Sequence, residues 1–119
     1  MDEFINACIN GNLDKAKRLY SLGNVDVHTD NDIVFRLSCE NGHLDVAKWL
    51  YSLGNVNIHI YNDEAFRLSC KYGHINVAQW LYSFGDIDVH NSNNYAFRIS
   101  CKNGHLEVAK WLYSLGNIH

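Results

Sequence analysis

The sequence predicts an all-α helical repeat solenoid, built from four helix–turn–helix units with short hairpin-like fingers between them. Three observations predict it. First, Phe4-Ile5-Asn6-Ala7-Cys8 recurs as Phe35-Arg36-Leu37-Ser38-Cys39, Phe66-Arg67-Leu68-Ser69-Cys70 and Phe97-Arg98-Ile99-Ser100-Cys101, with a period of 31 and no insertion. Second, glycines fall in two fixed registers, Gly11/Gly42/Gly73/Gly104 and Gly23/Gly54/Gly85/Gly116. Third, Leu44, Val46, Ala47, Trp49, Leu50 and Leu53 nearly encircle one short helix, which must therefore be covered on several sides.

Each unit reads in the same order. Asp32 in the second unit, Asp63 in the third, or a neighbouring asparagine is placed to cap a helix by accepting from its first free N–H groups. A helix over about 33–40 follows and ends at Asn41-Gly42, where glycine supplies the left-handed residue that closes a helix. A second helix over about 44–52 ends at Gly54 in the same way. Residues 55–60 then alternate polar and apolar, the period of a short extended finger. The expected units are 1–28, 29–59, 60–90 and 91–119, within a single domain 1–119.

Helices of two or three turns are unstable alone, so order must come from stacking units side by side. Trp49, Trp80 and Trp111 are expected at successive interfaces. A buried tryptophan removes about 150–250 Å² from water, roughly 4–6 kcal/mol gross at ~25 cal/mol per Å². The first unit carries Asn6, Lys15 and Arg18 where later units carry Leu37, Val46 and Trp49. Those changes make one solvated side, an N-terminal cap, and imply that Leu37, Val46 and Trp49 pack on the preceding unit. The last unit has no such change. Leu106, Ala109, Leu112 and Leu115 are expected to expose an apolar C-terminal face, with the sequence stopping mid-finger at Ile118-His119. Either the array is cut from a longer one, or a partner or second copy covers that face.

Composition narrows the function. A formal charge of −3 and a pI near 6.1 give no basic face for nucleic acid or an anionic membrane. No apolar run is long enough to span a bilayer, Met1-Asp2-Glu3 does not open a secretory signal, and no Asn-x-Ser/Thr acceptor occurs, so a cytoplasmic location is expected. Proline is absent while asparagine occurs 15 times, a bias toward turns and left-handed backbone.

The run Asn103-Gly104-His105-Leu106-Glu107-Val108-Ala109-Lys110-Trp111-Leu112, with a short helix before it and a glycine after, resembles an ankyrin repeat. The likeness covers all four units. It is especially similar to the ankyrin-repeat proteins of giant DNA viruses (mimivirus-like), in which Trp-Leu-Tyr-Ser-Leu-Gly wording is common. Two features depart from the family. Its Thr-Pro-Leu-His is replaced by Glu64-Ala65-Phe66-Arg67 and equivalents, and the unit falls short of the usual length of about 33 residues. The shortfall lies between Gly54 and Phe66, so shorter finger tips are expected.

Candidate chemistry is sparse. Cys8, Cys39, Cys70 and Cys101 recur one per unit. Stacked helices sit about 8–10 Å apart whereas a disulfide needs Cα atoms within about 7 Å, so all four are expected as small buried core residues. Cys39/His43, Cys70/His74 and Cys101/His105 offer two ligands per unit, against the four of a structural zinc site, so no metal is expected. The resemblance instead makes His43, His74 and His105 turn residues bonding backbone at the start of the second helix. His28, His59 and His90 are expected to pack or bond locally in the fingers. Arg36, Arg67 and Arg98 take the place of the family's histidine and are expected to pin neighbouring fingers. Asp32, Glu40 and Asp45 are scattered carboxylates without a nucleophile beside them, a paired geometry or a phosphate loop, so neither an enzymatic activity nor a cofactor is expected.

The surface remains. While the core wording repeats, Asp30/Tyr61/Ser92, Ile33/Glu64/Tyr95, Glu40/Lys71/Lys102 and Asn41/Tyr72/Asn103 differ between units. In ankyrin proteins such positions line a concave groove where partners dock. The expected function is therefore protein–protein interaction through Asp30, Tyr61, Ser92, Ile33, Glu64, Tyr95, Lys71, Tyr72 and Lys102, with tyrosines as anchors and a host protein as partner if the chain is viral. The alternative is a structural segment that self-associates through its C-terminal face.

Overall fold

Eight α-helices run through residues 2–116, the part of the chain that the computed structural model describes. They are α1 (Asp2–Ile9), α2 (Leu13–Ser21), α3 (Thr29–Glu40), α4 (Leu44–Ser52), α5 (Ile60–Lys71), α6 (Ile75–Tyr82), α7 (Asn91–Lys102) and α8 (Leu106–Ser114). No strand occurs among the described residues. The helices form antiparallel pairs, and the first helices stack in a row, α1 on α3, α3 on α5 and α5 on α7. The result is elongated, with extents of 49 × 24 × 19 Å, as a solenoid requires. The mid-finger stop expected at Ile118-His119 falls outside the described residues.

Glycine closes each first helix for two reasons. Gly42 has φ +79°, the left-handed region that other residues enter at a cost. A Cβ there would also come within 2.5 Å of His74 Nδ1 in the next unit. Gly11 meets His43 and Gly73 meets His105 in the same way. This corrects the expected role of these histidines. None of them caps its own second helix through its side chain. Each imidazole reaches back and fills the space above the preceding glycine. Asn12, at the same register in the first pair, does cap its own helix, accepting from the Lys15 N–H at 3.1 Å.

The tryptophans tie neighbouring units together. Trp49 lies 6.1 Å from the Phe4 ring and 5.6 Å, edge on, from the Tyr20 ring. Trp80 repeats this against Phe35 and Tyr51, and Trp111 against Phe66 and Tyr82. Each indole thus wedges between both helices of the unit before it. Beside it, Val46, Val77 and Val108 are fully buried with Phe4, Phe35 and Phe66. Such aromatic pairs add about 0.5–1.5 kcal/mol beyond area burial.

The fingers take the form of a left-handed turn without paired strands. Asp30-Asn31-Asp32, Tyr61-Asn62-Asp63 and Ser92-Asn93-Asn94 all have φ between 52° and 61°. The right-handed part of each first helix therefore begins at 33, 64 or 95. Among non-glycine residues with positive φ, all but Tyr61 and Ser92 are asparagine or aspartate, the residues that tolerate this region best. The expected capping by Asp32 and Asp63 does not occur. Their carboxylates instead accept from Nδ1 of His28 and His59 at 2.5 Å, and Asn94 accepts from His90 at 2.7 Å.

The two ends differ. Asn6 and Arg18 are exposed and Lys15 is half-buried, on the side where Val46 and Trp49 pack in later units. At the other end Leu106 is 63% exposed and Leu115 half-buried. Leu112, expected on that same open face, is instead fully buried, while Ala109 is 5% exposed and lines the shallow apolar hollow there with Leu106 and Tyr113. Cys101 is exposed whereas Cys8, Cys39 and Cys70 are buried, which corrects the expectation that all four belong to the core.

Two of these features predict measurable effects. Gly42→Ala and Gly104→Ala share a left-handed penalty of about 1–2 kcal/mol. Only Gly42 faces an imidazole, since nothing lies within 4 Å of a Cβ built at Gly104. Gly42→Ala should therefore lose about 1–3 kcal/mol more in chemical denaturation, the range for overpacking a filled site. Equal losses would contradict the back-reaching histidine. Burial pushes the Cys8 and Cys70 thiols up to about 12, and Cys39 further. A chromogenic disulfide reagent should therefore titrate one thiol, Cys101, promptly in the native protein and the others only on unfolding.

Candidate partner-binding site

The variable residues gather at the two ends of the first helices. At the finger end, arginine and tyrosine alternate from unit to unit. Each arginine clamps the left-handed turn of its own finger. Arg36 donates through Nε to the Asn31 carbonyl at 3.2 Å and through Nη2 to the Asp30 carbonyl at 2.9 Å. Arg67 holds the Asn62 and Tyr61 carbonyls, and Arg98 the Asn93 and Ser92 carbonyls. The expectation that these arginines pin neighbouring fingers holds only in part, since the hydrogen bonds common to all three are local. Arg36 alone also makes a hydrogen bond to the next unit, donating to Glu64 Oε1 at 2.6 Å.

The aromatic rings fill the gaps in this ladder. The Arg36 guanidinium lies 5.0 Å from the centre of the Tyr61 ring, and the Tyr95 ring sits between Arg67 at 5.9 Å and Arg98 at 5.8 Å. Asn31 Nδ2 donates to the Tyr61 hydroxyl at 2.7 Å, clasping two successive fingers. Tyr61 nonetheless remains 51% exposed. Asp30 and Ser92 are exposed, while Ile33, Glu64 and Tyr95 are half-buried. Glu64 is therefore committed to an ion pair between units and is less free for a partner than its sequence position suggested.

At the opposite end of the first helices, Glu40, Asn41, Tyr72 and His74 line an open depression of about 510 Å³. Tyr72 is 44% exposed there, with Lys71 Nζ 5.4 Å from its ring centre. Lys71 is half-buried and Lys102 exposed. Asn103 Nδ2 donates to the Lys71 carbonyl at 3.0 Å, one unit back. His74 was not among the expected groove residues. Burial holds its imidazole below the ordinary value of 6.5, with the neighbouring His43 and His105 charges acting in the same sense, against a raising contact to the Glu40 backbone. Its periodic spacing signalled structure alone, and only the three-dimensional stack puts it on the floor of a depression.

The arrangement offers aromatic faces, guanidinium groups and a shallow cleft. Among the described residues no three histidine, cysteine or carboxylate side chains come together to hold a metal ion, and no helix is long and apolar enough to cross a membrane. A family model described as ankyrin repeats, three copies, matches residues 37–119. No curated protein matches the chain.

The His74 environment carries a sign. Its folded pKa lies below the unfolded one, so the unfolded chain takes up a proton first as pH falls. The stability that neutral His74 contributes is complete above about pH 6.5 and is lost as pH drops through and below that value. His74→Asn, which installs the residue found at Asn12, should flatten the fall in stability between neutral and mildly acid pH. An unchanged pH profile in urea denaturation would assign that fall elsewhere.

Proposed function

Since the chain belongs to the ankyrin repeat family, whose repeats are generally protein–protein interaction modules and typically non-enzymatic, we propose that it binds a protein partner through the face carrying Tyr61, Tyr72 and Tyr95. The observation that carries this reading is the contrast between exterior and interior. The stacking residues are the same in successive units, whereas Tyr61 stands where its neighbours have Asp30 and Ser92, and Tyr72 where they have Asn41 and Asn103. Large, partly exposed aromatic rings outside the buried core suit binding anchors. Asp30, Ser92, Glu64, Lys71 and Lys102 surround them as a polar rim, with Ile33 the one apolar neighbour. Within this reading 1–28 is the N-terminal capping unit, and 29–59, 60–90 and 91–119 build the recognition face. On the likeness to the giant-virus members of the family, the partner is a host protein met in the cytoplasm.

A second reading is favoured by a different observation. Leu106 and Tyr113, at 63% and 64% exposure, leave the last helix pair with an open apolar end. An architectural segment that associates through this end would account for it.

The first reading is tested with substitutions the chain already uses elsewhere. Tyr61→Ser and Tyr72→Asn install the residues of the neighbouring units. Against a partner captured from cell extract by the natural chain, the double variant should bind at least about tenfold more weakly, the loss of one or two anchors. Its melting temperature should change little. Unaltered affinity would remove the groove from consideration.

A further inference from the structure

The first helices of the units stand side by side, and charge is not shared evenly among them. α1 carries Asp2 and Glu3 and no cation, and α3 carries Asp30, Asp32 and Glu40 against Arg36 alone. α5 has Arg67 and Lys71 beside Asp63 and Glu64, while α7 has Arg98 and Lys102 and no carboxylate. Both carboxylates of α5 are engaged within the protein, Asp63 by His59 and Glu64 by Arg36. The formal charge of −3 thus conceals a local reversal on two adjacent helices. Arg67 and Lys71 are four residues apart, as are Arg98 and Lys102, so each pair shares one helix face. Among the described residues none of the four makes an ion pair.

Arg36 shows what the spare arm of such a guanidinium takes. Its Nε and Nη2 hold finger carbonyls, and its Nη1 donates to the Glu64 carboxylate. Arg67 is held at Nε and Nη2 in the same way. Its Nη1 has no hydrogen-bond partner among the described residues, since Tyr95 stands in the next unit where Glu64 stands for Arg36. A guanidinium already fixed by two bonds loses little freedom on making a third.

We propose that the surface of α5 and α7 docks an acidic, extended segment of a partner protein. One carboxylate of the segment takes Arg67 Nη1 beside the Tyr95 ring, as Glu64 takes Arg36, and others meet Lys71, Arg98 and Lys102. Neighbours on one helix face lie about 5–6 Å apart and stacked helices about 8–10 Å, which is two to three residues of extended chain at about 3.3 Å each. The segment therefore carries an acid at every second or third residue. A nucleic acid or an anionic bilayer fits this surface poorly. Either would spread its charge over the adjoining α3, where Asp30 is exposed and Glu40 makes no ion pair among the described residues. This inference rests on the groove reading and names the chemistry of the partner.

The probe is a synthetic peptide of about eight residues in which glutamate alternates with serine, long enough to cross both helices. It is titrated at low salt into the isotopically labelled full chain and followed by nuclear magnetic resonance. The Arg67 Nε–H signal and the backbone signals of α5 and α7 should shift while those of α1 stay, and the shifts should fade as salt is raised. A peptide with lysine in place of glutamate should move none of them. Lys71→Glu with Lys102→Glu installs the residue of Glu40 and should weaken the acidic peptide at least about tenfold. Lys48→Glu with Lys110→Glu makes the same change in net charge on the exposed side of the second helices and should keep the affinity within about threefold. Tyr95→Glu installs the residue of Glu64, gives Arg67 a carboxylate from within, and should also weaken the peptide at least about tenfold. Should that variant not fold, the two lysine pairs decide. Equal losses in both pairs would reduce the effect to net charge and overturn the docking surface. No shift at millimolar peptide overturns it too, as does tighter binding of a thymidine oligonucleotide or of phosphatidylserine vesicles. A captured partner that is lost with Tyr61→Ser and Tyr72→Asn, while the peptide moves nothing, defeats this inference and leaves the groove reading standing. A partner unaffected by that variant, with the peptide shifts present, defeats the tyrosine anchors instead.

Discussion

Every other feature of this molecule depends on side chains that reach backward by one unit. A pair of helices of 8 to 12 residues has no interior of its own worth the name. Trp49, Trp80 and Trp111 supply one by entering the preceding pair, and His43, His74 and His105 settle over glycines that have no side chain to oppose them. Because the direction of reach is the same at every step, the array is polar. One end offers the probing side chains and the other the receiving surface. The first pair blunts the probing end with Asn6 and Arg18, whereas the last pair keeps its receiving surface intact.

The fingers solve a second problem, how to return the chain between units in few residues. Three left-handed residues in succession make the shortest reversal seen here, at a cost of about 1 kcal/mol or more for each one that is not glycine. Asparagine and aspartate lower that cost, and the arginine five residues on binds two carbonyls of the turn. Charge-assisted hydrogen bonds of this kind contribute about 1.5–3 kcal/mol each when sheltered. Tyr61 and Ser92 are the exceptions among these positions, and Tyr61 is a bulky residue at φ 54° whose ring is held by Arg36 and whose hydroxyl is held by Asn31. A side chain that the backbone accommodates poorly and the neighbours hold firmly is a rigid projection, well suited to contact another surface.

Much of the fold was legible in the sequence because repetition reports it four times over. The helix limits near 44–52, the glycine closures and the interface tryptophans all follow from period and pattern. What spacing does not report is the direction in which a side chain reaches. His74 was read as serving its own helix and serves the one before. Asp32 was read as a helix cap, because a short carboxylate favours that place and a left-handed turn equally. Apolar residues that recur in every unit also have two possible destinations, their own pair or the next. Leu112 belongs to the first kind and Leu106 to the second, and the letters alone do not separate them. The variable positions were legible as surface, but that Glu64 is already engaged by Arg36 required coordinates.

The seat of an imidazole over a bare glycine joins residues from two different units, 32 apart for Gly42 and His74. Since every internal unit carries both halves in the same places, any unit fits against any other. Removing one, copying one or exchanging their order keeps this seat at each junction, while contacts particular to one junction, such as Arg36 with Glu64, change. An array of this design can therefore be shuffled as a cassette, with a fresh arrangement of tips brought outward at each recombination and no repair needed within.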